Sequence, residues 1–136
     1  MTLLELTNLI KDSARKQDSV HTIVDNDIYR LNELADVRYG AFAYTQNIHT
    51  SSIDRDYIAY DLTLFYVDLV HEDLSNQIEV QSTAIEVLES ILQDLYTAGV
   101  VIDGDYSFQP FYERFTDFCS GCFVQVKLLI KKSIDC

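Results

Sequence analysis

The stretch 57–70 constrains the fold more than any other, because apolar side chains occupy both sets of its alternating positions. Successive side chains of a strand point to opposite faces of the sheet. A strand with one face in water would instead alternate apolar and polar residues. The stretch therefore predicts a long strand that is covered, at least in part, on both faces. One set holds Ile58, Tyr60, Leu62, Leu64 and Tyr66, and the other holds Tyr57, Ala59, Asp61, Thr63, Phe65 and Val67.

Two stretches have helical periodicity. Apolar residues within 2–17 fall on one helical face, and those within 74–97 recur at steps of three and four. A helix begins most readily after a Ser, Thr, Asp or Asn cap and often ends at glycine. The capping candidates are Thr2 with Glu5 in the first helix, Asp73 or Ser75 in the second, and Gly99 as the C-terminal stop.

The remaining apolar runs predict shorter strands, so the chain reads as helix, strands, helix, strands. This order predicts a single domain, 1–136, of the α+β class, with two main helices packed on one face of an antiparallel β-sheet. The strands on either side of the polar segment 47–56 would form a long protruding β-hairpin. Gly40 marks a bend or bulge, and Pro110 places part of its strand on an edge or at a bulge. The shorter strands are predicted at 19–24, 28–31, 37–48, 106–115 and 122–132, with a brief apolar run at 100–102.

The charge of the chain excludes some partners. The 22 acidic and 10 basic side chains give a formal net charge of −12. Wrapping of nucleic acid requires a Lys/Arg footprint, which is missing here, although an acidic pore wall would let a duplex slide past without sticking. No apolar run approaches the roughly 20 residues that a membrane helix needs, and the N-terminus lacks the features of a secretory signal. The sequence thus predicts a cytoplasm-like compartment and no membrane partner.

Cys119 and Cys122 form the pattern that most resembles a chemical motif. A Cys-x-x-Cys pair can serve zinc binding or thiol redox chemistry. Zinc would need two more ligands, and a redox pair would be expected at the start of a helix. Here Ser-Gly between two extended runs reads as a turn, which favours two structural thiols. The candidates for further zinc ligands are scattered singly: Cys136, His21, His49 and His71.

No nucleophile elbow, phosphate loop or spaced His pair occurs in the sequence, which predicts a non-enzymatic protein without cofactor or metal. The alternative is a small cytosolic ligand-binding or redox/metal module that uses Cys119 and Cys122.

Several segments resemble small structural proteins of tailed bacteriophages that infect Bacteroides-type hosts, including crAss-like phages. The resemblance covers the chain from about residue 20 onward and contains no catalytic motif. The order of elements also resembles head–tail connector and tail-terminator proteins. The segments are 27–32 (DIYRLN), 39–46 (YGAFAYTQ), 60–68 (YDLTLFYVD), 72–88 (EDLSNQIEVQSTAIEVL) and 111–126 (FYERFTDFCSGCFVQV).

The resemblance implies a virion structural subunit that forms a homo-oligomeric ring of six or twelve copies at the portal–tail junction. Such a ring would contact the portal, an adjacent ring or tail proteins, and DNA would pass through its lumen without specific binding. It would assemble in the cytoplasm of the bacterial host. In that arrangement the hairpin arm would reach neighbouring subunits. The implied interface residues are Tyr44, Gln46, Ile48, His49, Ile53, Arg55 and Tyr57.

Overall fold

The computed structural model contains two helices and six strands in its described residues, and it confirms the α+β class. The elements are α1 (Leu3–Arg15), β1 (Thr22–Val24), β2 (Ala41–Ser52), β3 (Tyr57–Leu69), α2 (Gln77–Thr97), β4 (Val101–Asp103), β5 (Phe108–Arg114) and β6 (Phe118–Lys131). The structure describes residues 2–24, 40–52, 57–69, 75–114 and 118–131, without the side chains of 46–52, 112–114 and 118–119. The strand predicted at 28–31 lies outside them.

The sheet is mixed, so the prediction of a wholly antiparallel sheet is wrong. Its strand order is β1-β2-β3-β6-β4, and β5 also pairs with β6. Among the described strands, all pairs are antiparallel except β1 with β2, where Thr22 lies opposite Ala41 and Val24 opposite Ala43 in parallel. A parallel pair needs a long connection between its strands. Here the partner strand of β1 begins only after residues 25–39.

Helix α1 follows its sequence signals. The Thr2 hydroxyl accepts a hydrogen bond from the Glu5 backbone N–H at 3.1 Å, which confirms the predicted cap. Leu6, Ile10 and Ala14 are buried on the apolar face.

The start of α2 differs from the prediction. Asn76 is the N-cap, and it makes no side-chain cap hydrogen bond. Ser75 is therefore not the cap, and Asp73 lies outside the described residues. The Asn76 side-chain amide instead donates to the Leu69 carbonyl at 3.3 Å, which ties the start of the helix to the end of β3.

The end of α2 is the glycine stop that the sequence predicts. Gly99 has a φ of 95°, in the left-handed region that side chains disfavour. The Val100 N–H then donates to the Leu95 carbonyl at 3.0 Å and closes the last turn. The chain reverses immediately into β4.

The main hydrophobic core joins both helices to one set of alternating sheet positions, which we call the core face. Its members on β3 are Leu62, Leu64 and Tyr66. A partly buried hydrogen bond also links the two helices, because the Ser13 hydroxyl donates to the Asp94 carboxylate at 2.5 Å. On the helices the core contains Leu6, Ile10, Ala14, Ala84, Val87, Leu88, Ile91, Leu92 and Leu95.

Gly40 lies at a bend before β2, which confirms one of its two predicted roles. The irregularity in strand pairing lies between Gln46 and Thr50 instead. A Cβ at this position would collide with the Tyr66 hydroxyl and the Ser19 carbonyl oxygen. The same hydroxyl donates to the Ser19 carbonyl at 3.2 Å. Glycine thus lets three backbone segments meet around the ring of Tyr66. Burial, with the nearby negative charge of Asp68, raises the pKa of this phenol well above its ordinary value.

Candidate functional site

The opposite side of the sheet, which we call the aromatic face, carries a patch of three phenylalanines. Phe65 lies directly across from Phe123 in the β3–β6 ladder, and their ring centroids are 5.8 Å apart. Phe111 of the adjacent β5 extends the row, with its ring 6.0 Å from that of Phe123. All three side chains are half-buried. Aromatic rings at these separations attract one another and still present apolar surface.

Small apolar side chains form the floor of this patch. Val24, Ala41, Ala43 and Val67 are buried in a second cluster, against which Phe65 and Phe111 pack. Among the described residues, no helix residue belongs to that cluster. The two-sided apolar pattern of β3 thus corresponds to two separate clusters, one on each face of the sheet.

A row of charged residues follows further along the aromatic face. Asp61 on β3 lies opposite Lys127 on β6, and Lys127 lies opposite Asp103 on β4. Opposite charges at directly facing positions stabilise a sheet modestly. The row lies beyond the Thr63–Gln125 pair on one side of the phenylalanine patch. Apolar surface with a polar rim is typical of protein interfaces.

The predicted hairpin residues lie in different environments. Strands β2 and β3 pair from Ala41 opposite Val67 to Ser52 opposite Ile58, with a register shift between Gln46 and Thr50.

Among the hairpin residues whose side chains are described, Tyr44 is buried in the main core, with the Lys11 ammonium 5.9 Å from its ring centroid. Tyr57 is half-buried at the start of β3. Gln46, Ile48 and His49 lie in β2 with undescribed side chains, and Ile53 and Arg55 lie outside the described residues. The contact of this segment with neighbours stays a prediction.

The Cys119–Cys122 motif does not form the predicted turn. Strand β6 begins at Phe118 and runs through the motif, with Cys119 opposite Leu69 and Cys122 opposite Tyr66. Glycine is needed at position 121 of this strand because a Cβ there would collide with the Tyr66 carbonyl oxygen of β3. Positions 119 and 122 are an odd number of residues apart in one continuous strand, so they belong to opposite faces of the sheet. This placement does not suit a pair that must share a metal or a disulfide.

Cys122 is fully buried on the core face. Burial raises the pKa of its thiol from 9.0 to about 11, against a smaller lowering by a backbone hydrogen bond with Phe123. The thiolate is the reactive form of cysteine, so a raised pKa makes this thiol inert. Among the described residues, no three His, Cys, Asp or Glu side chains lie together as a metal site would require.

A groove beside α2 is a second candidate site, which the sequence did not predict. It measures about 200 Å³ and lies between α2 and the β4–β5 connection. Tyr96 and Tyr106 stand at its walls with 68% and 39% of their surfaces exposed. The acidic and polar residues farther along α2 continue the depression. The lining residues are Glu86, Glu89, Ser90, Leu92, Gln93, Tyr96, Ile102 and Tyr106.

Comparison with family models finds no match to this chain, and no curated protein matches it significantly. Neither of the helices in the described part of the chain has the length and apolar character required to cross a membrane.

Proposed function

We propose that the chain is a virion structural subunit of a tailed bacteriophage that forms a ring at the portal–tail junction. The observation that carries this proposal is the phenylalanine patch of Phe65, Phe111 and Phe123. Half-buried aromatic rings over a buried apolar floor, with charges along one edge, suit contact with another subunit. The resemblance to phage connector and terminator proteins supplies the kind of assembly.

Two further features support the ring. The β2–β3 ladder reaches Ser52 opposite Ile58. We propose that the hairpin protrudes from a layer of two helices on one face of the sheet, and that it reaches the next subunit. The net charge of −12 would keep a duplex from adhering to the lumen wall. The ring would contact the portal, an adjacent ring or tail proteins on its two sides.

Native mass spectrometry and negative-stain microscopy of the purified chain test the assembly. We expect closed rings of six or twelve copies, alone or on a partner ring. Phe65→Ala combined with Phe123→Ala should abolish assembly and leave a folded monomer. Ile78→Ser is the matched control, because Ile78 is 78% exposed on α2 and lies on neither sheet face.

The proposal would be overturned by a chain that stays monomeric alone and with its neighbouring virion proteins. Equal loss of assembly in the control variant would also count against the phenylalanine patch. The proposal further predicts that portal, capsid and tail genes flank the gene for this chain. Stoichiometric zinc bound through Cys119 would favour a metal module instead.

A further inference from the structure

The groove beside α2 has the chemistry of a site for a cationic side chain. Its floor is apolar, since Leu92 is buried and Ile102 packs against the main core. The exposed rings of Tyr96 and Tyr106 flank this floor, and Glu89 stands at the rim. Lys and Arg side chains combine an apolar stem with a charged tip. The stem would lie on the floor while the tip meets a tyrosine ring and the carboxylate.

The charge around the groove has one sign. None of its lining residues is basic, and Glu86 and Glu89 both line it. The sequence from 56 to 113 contains no Lys or Arg. The last turn of α2 also lacks a basic residue, so the negative end of the helix dipole is not offset there. These contributions add to a local field that attracts cations.

No residue of α1 is among the described residues that line the groove. Helix α1 contacts α2 through Ser13 and Asp94, and its Lys11 lies over Tyr44 of β2. The wall of the groove across from α2 includes Ile102 of β4. This strand lies at the end of the strand order farthest from β1 and β2. Within the chain, the Lys11 ammonium lies 5.9 Å from the centroid of the Tyr44 ring, which is within the range of a cation–π contact.

We propose that the α2 groove binds a short extended segment of another protein that presents Lys or Arg side chains. From Glu86 to Tyr96 the groove follows about 15 Å of helix, enough for four or five extended residues at roughly 3.3 Å each. A second copy of this chain is a poorer occupant, because each copy has a net charge of −12. The proposal does not depend on ring assembly.

Fluorescence anisotropy with a labelled, terminally blocked five-residue peptide of alternating arginine and leucine tests the groove. We expect saturable binding by the whole chain and none by the same peptide with glutamate in place of arginine. Tyr96→Ala should weaken binding about threefold to tenfold, whereas Tyr96→Phe keeps the ring face and should leave it within about twofold. Because Tyr96 is mostly exposed, both variants should keep the circular dichroism spectrum of the parent chain.

Glu89→Gln is expected to weaken binding by about twofold to fivefold. Its matched control is Glu79→Gln, which removes the same charge from an exposed position of α2 outside the groove. Equal effects of the two variants would reduce the binding to general electrostatics and overturn the proposal. The proposal would also be overturned if no saturable binding appeared up to millimolar peptide, or if Tyr96→Ala left the affinity unchanged.

Sedimentation velocity of Tyr96→Ala tests whether the groove instead holds a second copy of this chain. An unchanged oligomeric state is expected. A dissociated assembly would show that the groove holds a second copy, and it would overturn the proposal of a basic partner. Because ring assembly and peptide binding are measured separately, the failure of either proposal is visible without the other.

Discussion

The two faces of β3 both carry apolar residues but differ in packing. Leu64 on the core face is fully buried in the main core, whereas its neighbour Phe65 on the aromatic face is half-buried. The core-face residues form one buried cluster with residues of α1 and α2. In the described part of the chain, the aromatic face is completed only by other strand residues. Alternation of apolar residues therefore shows that a face will be covered but not which element or molecule covers it.

Among the variants that test this difference between the faces, Leu64→Ala should lower the free energy of unfolding most. The side chain is fully enclosed, so truncation removes buried surface and leaves a cavity. We expect the free energy of unfolding to fall by about 3 kcal/mol, within the usual range for such changes. Urea denaturation of the monomer measures it. A loss below about 1 kcal/mol would mean that the core face is not tightly packed.

The thiol of Cys122 gives the next largest effect, which depends on pH. Its pKa is raised from 9.0 to about 11 in the folded chain. A group whose pKa is raised by folding stabilises the fold below its unfolded pKa, and that contribution disappears as the pH rises through the folded pKa. Between pH 9 and 11 the chain should therefore lose stability on the order of 2 kcal/mol from this thiol.

Denaturation curves of Cys122→Ala at pH 8 and pH 11 check this expectation. The variant is less stable at pH 8 because of the cavity, but it should lose less stability than the parent chain on going to pH 11. Ionisable groups distant from Cys122 affect both proteins equally. Identical losses in the two proteins would show that the thiol is not held protonated by burial.

Local sequence signals account for the parts of the fold that were predicted correctly. The Thr2 cap, the Gly99 stop and the alternation in β3 each act within a few residues, so the sequence displays them directly. The parallel pairing of β1 with β2 depends on a partner far along the chain, which no local pattern specifies.

The missed features depend on close tertiary approach. Ser-Gly in the cysteine motif reads as a turn, yet Gly121 serves a strand position where the Tyr66 carbonyl leaves no room for a Cβ. The groove forms only when the β4–β5 connection folds back beside α2. The spacing of Glu89 and Tyr96 on one helical stripe, in a long stretch without basic residues, is the signal that could have indicated it.

The Ser13–Asp94 hydrogen bond holds α1 against α2, so it contributes to the cover of the core face. Ser13 is buried and donates to a carboxylate at 2.5 Å. Ser13→Ala should lower the free energy of unfolding by about 1.5 kcal/mol, because the half-buried acceptor loses its partner. The matched control is Thr7→Ala, which removes an exposed hydroxyl from the same helix. Equal losses in thermal or urea unfolding would show that the buried bond adds nothing.

Phe65→Ala should have the smallest effect on the isolated subunit and is the most direct test of the difference between the faces. The half-buried ring contributes its pairing with Phe123 and partial burial, so we expect a loss of about 1 kcal/mol in a monomer held below its assembly concentration. If Phe65→Ala destabilises the monomer as strongly as Leu64→Ala, the aromatic face is already sealed within the subunit. The phenylalanine patch would then be a second core, and the ring proposal would lose the observation on which it rests.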